Sequence, residues 1–492
     1  MRHTLSFVST LLLFSLAQYG PSCAAEKPNI ILVMCDDLGW GDTGFNGNRI
    51  IRTPNLDKMA AGGLKFNRFY AASAVCSPTR GSVVTGRHPY RLGILGANSG
   101  RMRPQEYTLA ELLKKLGYKT GHFGKWHLGT LTKTIQESNR GGPRGVEHYS
   151  PPWENGFDVC FSTEAKIPSY DPMLKPKDKA NRRGWEYIQD DSQAIPYGTH
   201  YWNQSGQIVK DNLRGDNSRV IMDRVVPFIR QAAREGQPSF SIIWFHTPHL
   251  PVVAGPKHAA MYQEYDTFAR NYYGCVTAMD EQVGRLRTTL RELDVADNTM
   301  LWFCSDNGPE GMAGNGPGTA GHFRGRKRDL FEGGIRVPGL LEWPAMVKPG
   351  SVTDFPSVTS DYVPTMLDVL GIEMPDDRPL DGISLLPMLE GKMSTRAKPI
   401  GFALRGKAAL MENRYKLVHY GETVTRFKAI PADAVAGGKT MLFDLIADPA
   451  EKNDLALQHP KIVEQMTETL EAWLESCAES DAGNDYADTD SQ

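Results

Sequence analysis

The sequence predicts an α/β protein in which helices sandwich a large, mixed and mainly parallel sheet, followed by a smaller C-terminal α+β domain. Two observations lead to this prediction. Four short apolar runs each end abruptly in polar residues, and continuous apolar runs bounded by turn signals are typical of strands buried on both faces. Segments with helical start and stop signals lie between the runs, and such alternation is typical of parallel sheets.

The four runs are predicted strands, and each leads into residues capable of chemistry. In chain order they read NIILVMCDD from residue 29, YKTGHFGKWHLG from 118, FSIIWFHTPHLP from 240 and NTMLWFCSDNGPEG from 298. Ligands of open α/β sheets bind beyond the carboxyl ends of the strands. The sequence therefore predicts one shared site, built from the four polar clusters.

Helices are predicted where capping residues flank amphipathic segments. Thr53 and Pro54 begin the first, as N-cap and first helical residue. Thr108 and Glu111 form a capping box at the start of another, which stops at Gly117. Further helices are predicted within residues 270–293, 360–371 and 460–477.

Residues 131–205 form an irregular insertion rich in Gly, Pro, Asn and charge, and insertions of this length usually carry function or are disordered. Its aromatic residues leave two interpretations open, stacking on a substrate or packing among themselves. They are Tyr149, Trp153, Tyr170, Trp185, Tyr187, Tyr197, Tyr201 and Trp202.

The remaining boundaries follow from composition. Residues 1–25 are predicted to be a secretory signal peptide, with basic residues, a short apolar run and a small-residue end. We therefore expect an exported protein, periplasmic or secreted, without an integral membrane segment after cleavage. A large N-terminal domain is predicted over 26–394 and the smaller domain over 395–478. Residues 479–492 are acidic, and we expect a disordered tail there.

Charge and cysteine content exclude two broad classes. The formal net charge of −2 gives no general attraction to nucleic acid or anionic membranes. Seven cysteines in 492 residues do not make a disulfide scaffold. Cys35 and Cys304 lie in strand-like runs and are expected to be buried thiols. Pairing among Cys160, Cys275 and Cys477 stays open.

Two pairs of residues with side-chain oxygens, Asp-Asp at 36–37 and Asp-Asn at 306–307, suggest a metal site. Their hard oxygen ligands suit Ca²⁺ or Mg²⁺, although each pair alone is also a common turn sequence. Convergence requires a backbone turn after residue 37, which we expect Gly39 and Gly41 to provide. The ligand candidates are Asp36, Asp37, Asp306 and Asn307.

Four further side chains suit an anion pocket, although each alone could be structural or solvated. Lys125 and His127 offer a compact charge and a proton carrier, spaced to face one side of a pocket. His249 lies on a proline-flanked loop, and Lys327 lies among basic residues before a Gly-Gly turn.

Cys76 is the first residue of the run CSPTR. Its role has three possible interpretations: half of a disulfide, a core thiol or a catalytic centre. Pro78 suits the first turn of a helix over residues 79–86. A helix N-terminus attracts anions and is expected to lower the pKa of the thiol. Arg80 would lie about one turn on, pointing back toward residue 76.

The stretch VCSPTRGSVVTG, with the clusters above in the same order, resembles the sulfatases of the alkaline-phosphatase-like superfamily. Arylsulfatases and N-acetylgalactosamine-6-sulfatase-like polysaccharide sulfatases are members of this type. The resemblance spans nearly the whole mature chain, from PNIILVMCDDLGWGD to LFDLIADPAEKNDLA. It is looser around Lys327, because Arg326 and Arg328 flank that residue.

The resemblance implies that Cys76 is converted to Cα-formylglycine, whose hydrate is the nucleophile. It also implies one Ca²⁺ ion, held by the four ligand candidates with residue 76 facing it. Arg80 would hold the hydrated aldehyde, Lys125 would bind sulfate and His127 would act as a base. His249 and Lys327 would grip the ester and assist the departing alcohol.

The implied activity is hydrolysis of sulfate monoesters, on a sulfated carbohydrate of the glycosaminoglycan or algal galactan type. The implied partners are this substrate and a formylglycine-generating or equivalent enzyme. Two alternatives stay open. One is a phosphoester or phosphonate hydrolase of the same superfamily, and the other is a non-catalytic binder of sulfated glycans.

Overall fold

The structure, a computed structural model, describes residues 27–178, 183–311, 316–420 and 439–486. The predicted signal peptide and residues 487–492 of the predicted tail lie outside these ranges. Within the described ranges, no helix is long and apolar enough to cross a bilayer.

Eighteen strands and ten α-helices are present in the described residues. The strands are β1 (Asn29–Cys35), β2 (Leu64–Phe66), β3 (Phe69–Tyr70), β4 (Lys119–Lys125), β5 (Val159–Thr163), β6 (Leu174–Pro176), β7 (Ala194–Pro196), β8 (Trp202–Asn203), β9 (Ser239–Trp244), β10 (Thr299–Ser305), β11 (Arg336–Val337), β12 (Gly339–Glu342), β13 (Ser351–Thr353), β14 (Ser357–Val358), β15 (Ile400–Leu404), β16 (Lys407–Met411), β17 (Tyr415–Tyr420) and β18 (Lys439–Asp444). The helices are α1 (Pro54–Gly62), α2 (Cys76–Thr85), α3 (Leu109–Lys115), α4 (Asn217–Arg234), α5 (Pro256–Ala259), α6 (Thr267–Glu292), α7 (Glu332–Ile335), α8 (Tyr362–Leu370), α9 (Leu386–Leu389) and α10 (Pro460–Asp481).

Nine strands form the central sheet, in the order β13-β2-β12-β10-β1-β9-β4-β5-β8. The five strands from β10 to β5 run parallel, whereas β12 and β8 join them antiparallel. The four predicted apolar runs are β1, β4, β9 and β10, which are neighbours in this sheet. The predicted mixed, mainly parallel sheet is therefore confirmed, and the four polar clusters meet at one edge.

The sheet is buried on both faces, which explains the uninterrupted apolar runs. In β1, residues 30, 32 and 34 pack in one core layer with side chains of α2, α3 and α8. Residues 31, 33 and 35 pack in the other layer, with α1, α4 and α6. Successive side chains of a strand point to opposite faces of the sheet, so the residues on both faces of the strand must be apolar.

The end of β4 requires glycine at position 124. Gly124 has a φ of +109°, and a Cβ there would lie 1.9 Å from the carbonyl oxygen of Trp244 in β9. This close approach brings the residues that follow β4 and β9 together at the edge of the sheet.

The expectation of an irregular insertion over residues 131–205 is wrong for β5, which is a strand of the central sheet. A strand of five residues, flanked by Gly, Pro and charged residues, is too short to show a recognisable hydrophobic pattern in the sequence. The aromatic side chains pack locally: Tyr201 stacks on Phe161 with ring centroids 3.8 Å apart. The Nε1 of Trp202 donates to the buried Glu137 at 2.7 Å.

Four antiparallel strands, β15 to β18, form the C-terminal sheet, and α10 covers one of its faces. The expectation of disorder from residue 479 is wrong for residues 479–486. The helix α10 continues to Asp481, which pairs with Arg103. The hydroxyl of Tyr486 donates to the buried Glu106 at 2.6 Å. These partners come from distant parts of the chain, so local composition could not reveal them.

A buried ion cluster joins the C-terminal sheet to a small sheet of three strands, in the order β11-β3-β14. Lys416 of β17 lies 3.0 Å from the Oε1 of Glu332 and 2.9 Å from the Oε1 of Glu451. Tyr70 and Arg336 also contact Glu332, at 2.9 and 3.2 Å. The side chains of Lys416, Glu332 and Glu451 are fully buried.

Candidate active site

A cavity of about 430 Å³ opens where β1, β4, β9 and β10 end, beside the first turn of α2. Five of the predicted site residues line it, and the other five lie close by and buried. Those lining the cavity are Cys76, Lys125, His127, His249 and Lys327. Those buried, with at most 1% of each residue exposed, are Asp36, Asp37, Arg80, Asp306 and Asn307.

The two acidic pairs converge, as the metal-site prediction requires. The backbone N–H of Asp37 donates to the Oδ1 of Asp306 at 3.1 Å, and the Nδ2 of Asn307 donates to the Oδ1 of Asp37 at 2.7 Å. Asp37 itself makes the turn, with a φ of +70°. The chain also turns at Gly39 and Gly41, as expected, in a 3-10 turn over Trp40–Asp42. Gly39 further allows a close approach, since a Cβ there would lie 2.2 Å from the carbonyl oxygen of Thr319.

The donor set fits a divalent cation such as Ca²⁺. Ligand atoms of Asp36, Cys76 and Asp306 all lie within 4.8 Å of one another, as do those of Asp36, Asp37 and His249. The Oδ1 atoms of Asp36 and Asn307 are buried without a hydrogen-bond partner among the described residues. Burial, and then Asp36, raise the pKa of Asp306 to about 7. Unpaired hard oxygens and crowded carboxylates are both relieved by a bound divalent ion.

Cys76 is the first residue of α2, three residues before the predicted start, and all ten residues of that helix are buried. Burial raises the pKa of the Cys76 thiol, against the lowering effect of Lys125 and Lys327. The expected activation at the helix N-terminus is therefore wrong for the unmodified thiol, which stays protonated at neutral pH and is a weak nucleophile.

The disulfide interpretation of Cys76 is also wrong, because all six cysteines of the described residues are unpaired. Cys35 and Cys304 are buried thiols, as predicted. Cys160, Cys275 and Cys477, whose pairing was open, are free and buried.

Arg80 lies one turn into α2 and does not line the cavity. Its Nη2 donates to the Oδ2 of Asp306 at 2.6 Å, and its Nη1 donates to the carbonyl of Lys125 at 2.8 Å. The guanidinium carbon is 5.0 Å from the ring centroid of Trp244. Arg80 thus ties together the ends of β4 and β10 around the start of α2.

Two of the cavity lysines are each paired with one of the acidic residues after β1. Lys125 lies 2.6 Å from the Oδ2 of Asp36, and Lys327 lies 2.7 Å from the Oδ1 of Asp37. Burial alone would lower the pKa of Lys327, but Asp37 and the other acidic groups around it together outweigh burial and the pKa rises, so the ammonium group stays charged.

The two arginines beside Lys327 have other contacts. Arg326 donates to the carbonyls of Glu310 and Gly318, and Arg328 pairs with the Glu310 carboxylate. Lys327 is thus the one of the three consecutive cations that reaches the acidic cluster.

His127 is oriented by an asparagine that the sequence reasoning missed. The Nε2 of His127 lies 2.7 Å from the Oδ1 of Asn98, which also accepts from the Nδ2 of Asn139 at 2.7 Å. Since Nε2 must carry the donated hydrogen, Nδ1 keeps its lone pair, and it has no partner among the described residues. Burial lowers the pKa of His127 well below its ordinary value, so the ring is a neutral base.

His249 has the opposite tautomer. Its Nδ1 donates to the carbonyl of Leu250 at 2.7 Å, and its Nε2 lies 3.7 Å from the Oδ2 of Asp37. Burial lowers the pKa of His249 to about 4, although Asp36 and Asp37 act to raise it. The nearby His246 is instead a structural residue, with its ring nitrogens bonded to Thr163 and Asn217.

Several cavity residues were not predicted, and none of the eight insertion aromatics is among the cavity lining. The unpredicted polar lining consists of Asn98, Asn139, Lys166, Glu310, Arg328 and Arg405. Five of the ten non-glycine residues with positive φ in the described chain belong to the site: Asp37, Asn98, His127, Arg328 and Arg405. Such backbone strain concentrates at functional sites.

The chain is similar to proteins of known activity along most of its length. A family model described as "Sulfatase" matches residues 28–372, and one described as "N-sulphoglucosamine sulphohydrolase, C-terminal" matches residues 318–478. N-acetylgalactosamine-6-sulfatase from Sus scrofa is 34% identical over 421 residues, covering 81% of this chain and 73% of that protein. Arylsulfatase A from Bos taurus is 33% identical over 462 residues, covering 88% and 84%. Among solved structures, Ps i-CgsB in complex with k-i-k-neocarrahexaose is 26% identical with a TM-score of 0.73, covering 92% and 93%.

Proposed function

The chain belongs to the sulfatase family, and from this premise we propose that it hydrolyses sulfate monoesters on a sulfated carbohydrate of the glycosaminoglycan or algal galactan type. As a type I sulfatase of the alkaline-phosphatase-like superfamily it is a sulfuric ester hydrolase. The proposal extends to its chemistry: a formylglycine derived from Cys76 and one Ca²⁺ ion. The observation that carries it is the cavity that gathers Cys76, Lys125, Lys327 and two histidines beside an acidic cluster.

The metal ligands proposed are Asp36, Asp37, Asp306 and Asn307. The unpaired Oδ1 atoms of Asp36 and Asn307 support this assignment. A bound Ca²⁺ would act as a Lewis acid, lowering the pKa of a hydroxyl beside it and offsetting negative charge on the ester. Arg80 holds Asp306 in place and neutralises part of the carboxylate charge.

Residue 76 is proposed to act as the hydrated aldehyde, because its thiol is buried and protonated. The hydrate offers two hydroxyls, one to attack sulfur and one whose deprotonation expels sulfate and restores the aldehyde. His127 is the proposed base for that proton, through the lone pair on Nδ1. Asn98 keeps this tautomer by accepting the hydrogen on Nε2.

Lys125 and Lys327 are proposed to neutralise the charge that develops on the sulfate group, with the same positioning logic as in phosphoryl transfer. Lys327 stays cationic at neutral pH. His249 is neutral without substrate, and a bound anion would raise the pKa of its ring. Lys327 and His249 together are therefore proposed to hold the leaving oxygen and supply its proton.

A carbohydrate substrate is supported by two relatives, an N-acetylgalactosamine-6-sulfatase and a protein solved with a neocarrahexaose. The polar cavity lining, with amides and cations, also suits a sulfated sugar. We further propose export through the predicted signal peptide, and modification of Cys76 by a formylglycine-generating or equivalent enzyme.

The test is sulfate release by the full chain, made in a host that modifies Cys76, with the modification measured by mass spectrometry of the peptide carrying residue 76. Aryl sulfate and a panel of sulfated oligosaccharides are compared with matched phosphate and phosphonate esters, and Cys76→Ala is the inactive control. We expect sulfate release to dominate. Turnover of only the phosphorus esters would support the phosphoester or phosphonate hydrolase. Glycan binding without turnover by a fully modified chain would support the non-catalytic binder.

A further inference from the structure

Three cations at the cavity have no role in the proposed reaction. Lys166 lies in the loop after β5, Arg328 lies before α7, and Arg405 lies in the turn between β15 and β16. Three separate parts of the chain, one of them in the C-terminal sheet, therefore each contribute a cation to the lining of the same cavity. None of the three was singled out as a site residue by the sequence.

Charge in the cavity exceeds what one sulfate ester requires. Five cationic side chains and a single carboxylate line the cavity. Lys125 and Lys327 are paired with aspartates, and Arg328 is paired with Glu310. Lys166 is exposed in the cavity and has no ion pair or hydrogen bond with the residues described here. Desolvation by the cavity walls, and then Lys125 and Lys327, lower the pKa of Lys166, and a bound anion would counter this effect.

The two arginines are held in place by their backbones. Arg328 has a φ of +78° and Arg405 a φ of +49°, a conformation that costs bulky residues energy. The N–H of Arg328 donates to the carbonyl of Ala74 at 2.8 Å, and the N–H of Arg405 donates to the hydroxyl of Tyr90 at 3.1 Å. These bonds anchor both turns to the segments on either side of Cys76.

We propose that Lys166, Arg328 and Arg405 form a second anion subsite, which binds a carboxylate or a second sulfate on the same sugar or on its neighbour. The preferred substrate is then a polyanionic glycan rather than a singly sulfated neutral sugar. The inference rests on the proposed function and deepens it. Because no aromatic residue of the described ranges lines the cavity, ionic contacts are the main means of holding the glycan.

The experiment compares kcat/KM for three matched disaccharides that carry one sulfate ester: one otherwise neutral, one with a carboxylate and one with a second sulfate. An aryl sulfate whose only charge is the sulfate ester serves as a reference. We expect the wild type to prefer a dianionic disaccharide over the neutral one by about tenfold, which is one charge contact of about 1.4 kcal/mol. Lys166→Gln and Arg405→Gln should each reduce this preference ratio several-fold, through KM rather than kcat.

The control is Lys133→Gln, which removes an exposed lysine of the same insertion that does not line the cavity. It should leave the preference ratio unchanged. The carboxylate and second-sulfate disaccharides identify which anion the subsite takes. Equal kcat/KM for all three disaccharides, or equal losses on neutral and dianionic substrates in Lys166→Gln, would overturn the proposal.

Binding of the same disaccharides to the Cys76→Ala chain, by calorimetry, separates the two proposals. If a chain with a modified residue 76 releases no sulfate, the proposed hydrolase activity is refuted but the proposed anion subsite is not. Tighter binding of the dianionic sugars that disappears in Cys76→Ala/Lys166→Gln still supports the subsite. Equal affinities for the neutral and dianionic sugars refute the subsite whether or not the chain is an enzyme.

Discussion

Lys416→Met removes the central cation of the buried cluster between the C-terminal sheet and the three-stranded sheet β11-β3-β14. The methionine keeps most of the apolar stem, so the change isolates the charge. Lys416 makes two contacts of 2.9 and 3.0 Å with Glu451 and Glu332, and each buried charged contact contributes about 1.5–3 kcal/mol. Breaking a buried pair by removing one partner costs about 3–5 kcal/mol, and we expect a loss in that range at pH 8.

The loss should depend on pH, with a sign that follows from Glu332. Burial would raise the pKa of Glu332, but Lys416 and then Arg336 hold it below its ordinary value near 4.5. A carboxyl whose pKa is lowered by folding contributes its full stabilisation above the unfolded pKa, here near 4.5, and loses it as the pH falls from there through the folded pKa. The deficit of Lys416→Met should therefore be largest at pH 8 and should shrink as the pH falls below 4.5.

The assay is urea unfolding followed by tryptophan fluorescence at pH 8 and at acidic pH, comparing midpoints at equal slope. Lys461→Met, on the exposed side of α10, is the matched control and should change stability by less than about 0.5 kcal/mol. Lys416→Met/Glu451→Gln should recover part of the loss, because one uncompensated carboxylate is removed. A deficit below about 1 kcal/mol at pH 8, or one that does not shrink in acid, would refute the reasoning.

Three further predictions concern the site and the core. Asn98→Ala should lower kcat at least about tenfold, because the Nε2–H tautomer of His127 is no longer fixed by a hydrogen bond. An unaltered pH–rate profile and kcat would contradict this role. Removing divalent ions with a chelator should lower the Tm, and Ca²⁺ at 100 times its Kd should restore about 2.7 kcal/mol; scanning calorimetry without any Ca²⁺-dependent shift would speak against the metal site. Burial lowers the pKa of His88 to about 3. The unfolded chain therefore takes up a proton at this residue below pH 6.5 whereas the folded chain does not, and the free energy of unfolding decreases as the pH falls from 6.5 toward 3. Wild type should therefore lose about 2 kcal/mol more than His88→Gln between pH 6 and 4.5, measured by urea unfolding, and parallel losses would exclude this effect.

The sheet and most helix starts were predictable because their signals are local. The apolar runs of β1 and β10 show burial on both faces directly, and Thr108 and Glu111 form the capping box that their spacing indicates. The convergence of Asp36 with Asp306 was also predictable, since parallel strands bring their carboxyl ends to one edge.

The remaining site features depend on tertiary packing, for which no local pattern exists. Lys166 and Asn98 are single polar residues in loops, and their approach to the cavity depends on where β5 and α2 place those loops. The pKa of Cys76 depends on the burial of α2, which outweighs the favourable helix terminus. The contact of Tyr486 with Glu106 spans 380 residues of sequence.

The burial of α2 bears on the order in which the proposed modification of Cys76 and folding can occur. Only 2% of Cys76 is exposed, and the nine helix residues that follow it are also buried. A modifying enzyme that must grip the residues around Cys76 has no access to them in the folded chain. The proposed oxidation of this cysteine would therefore have to come before folding, and a chain that folded with its thiol intact would stay inactive until it unfolded.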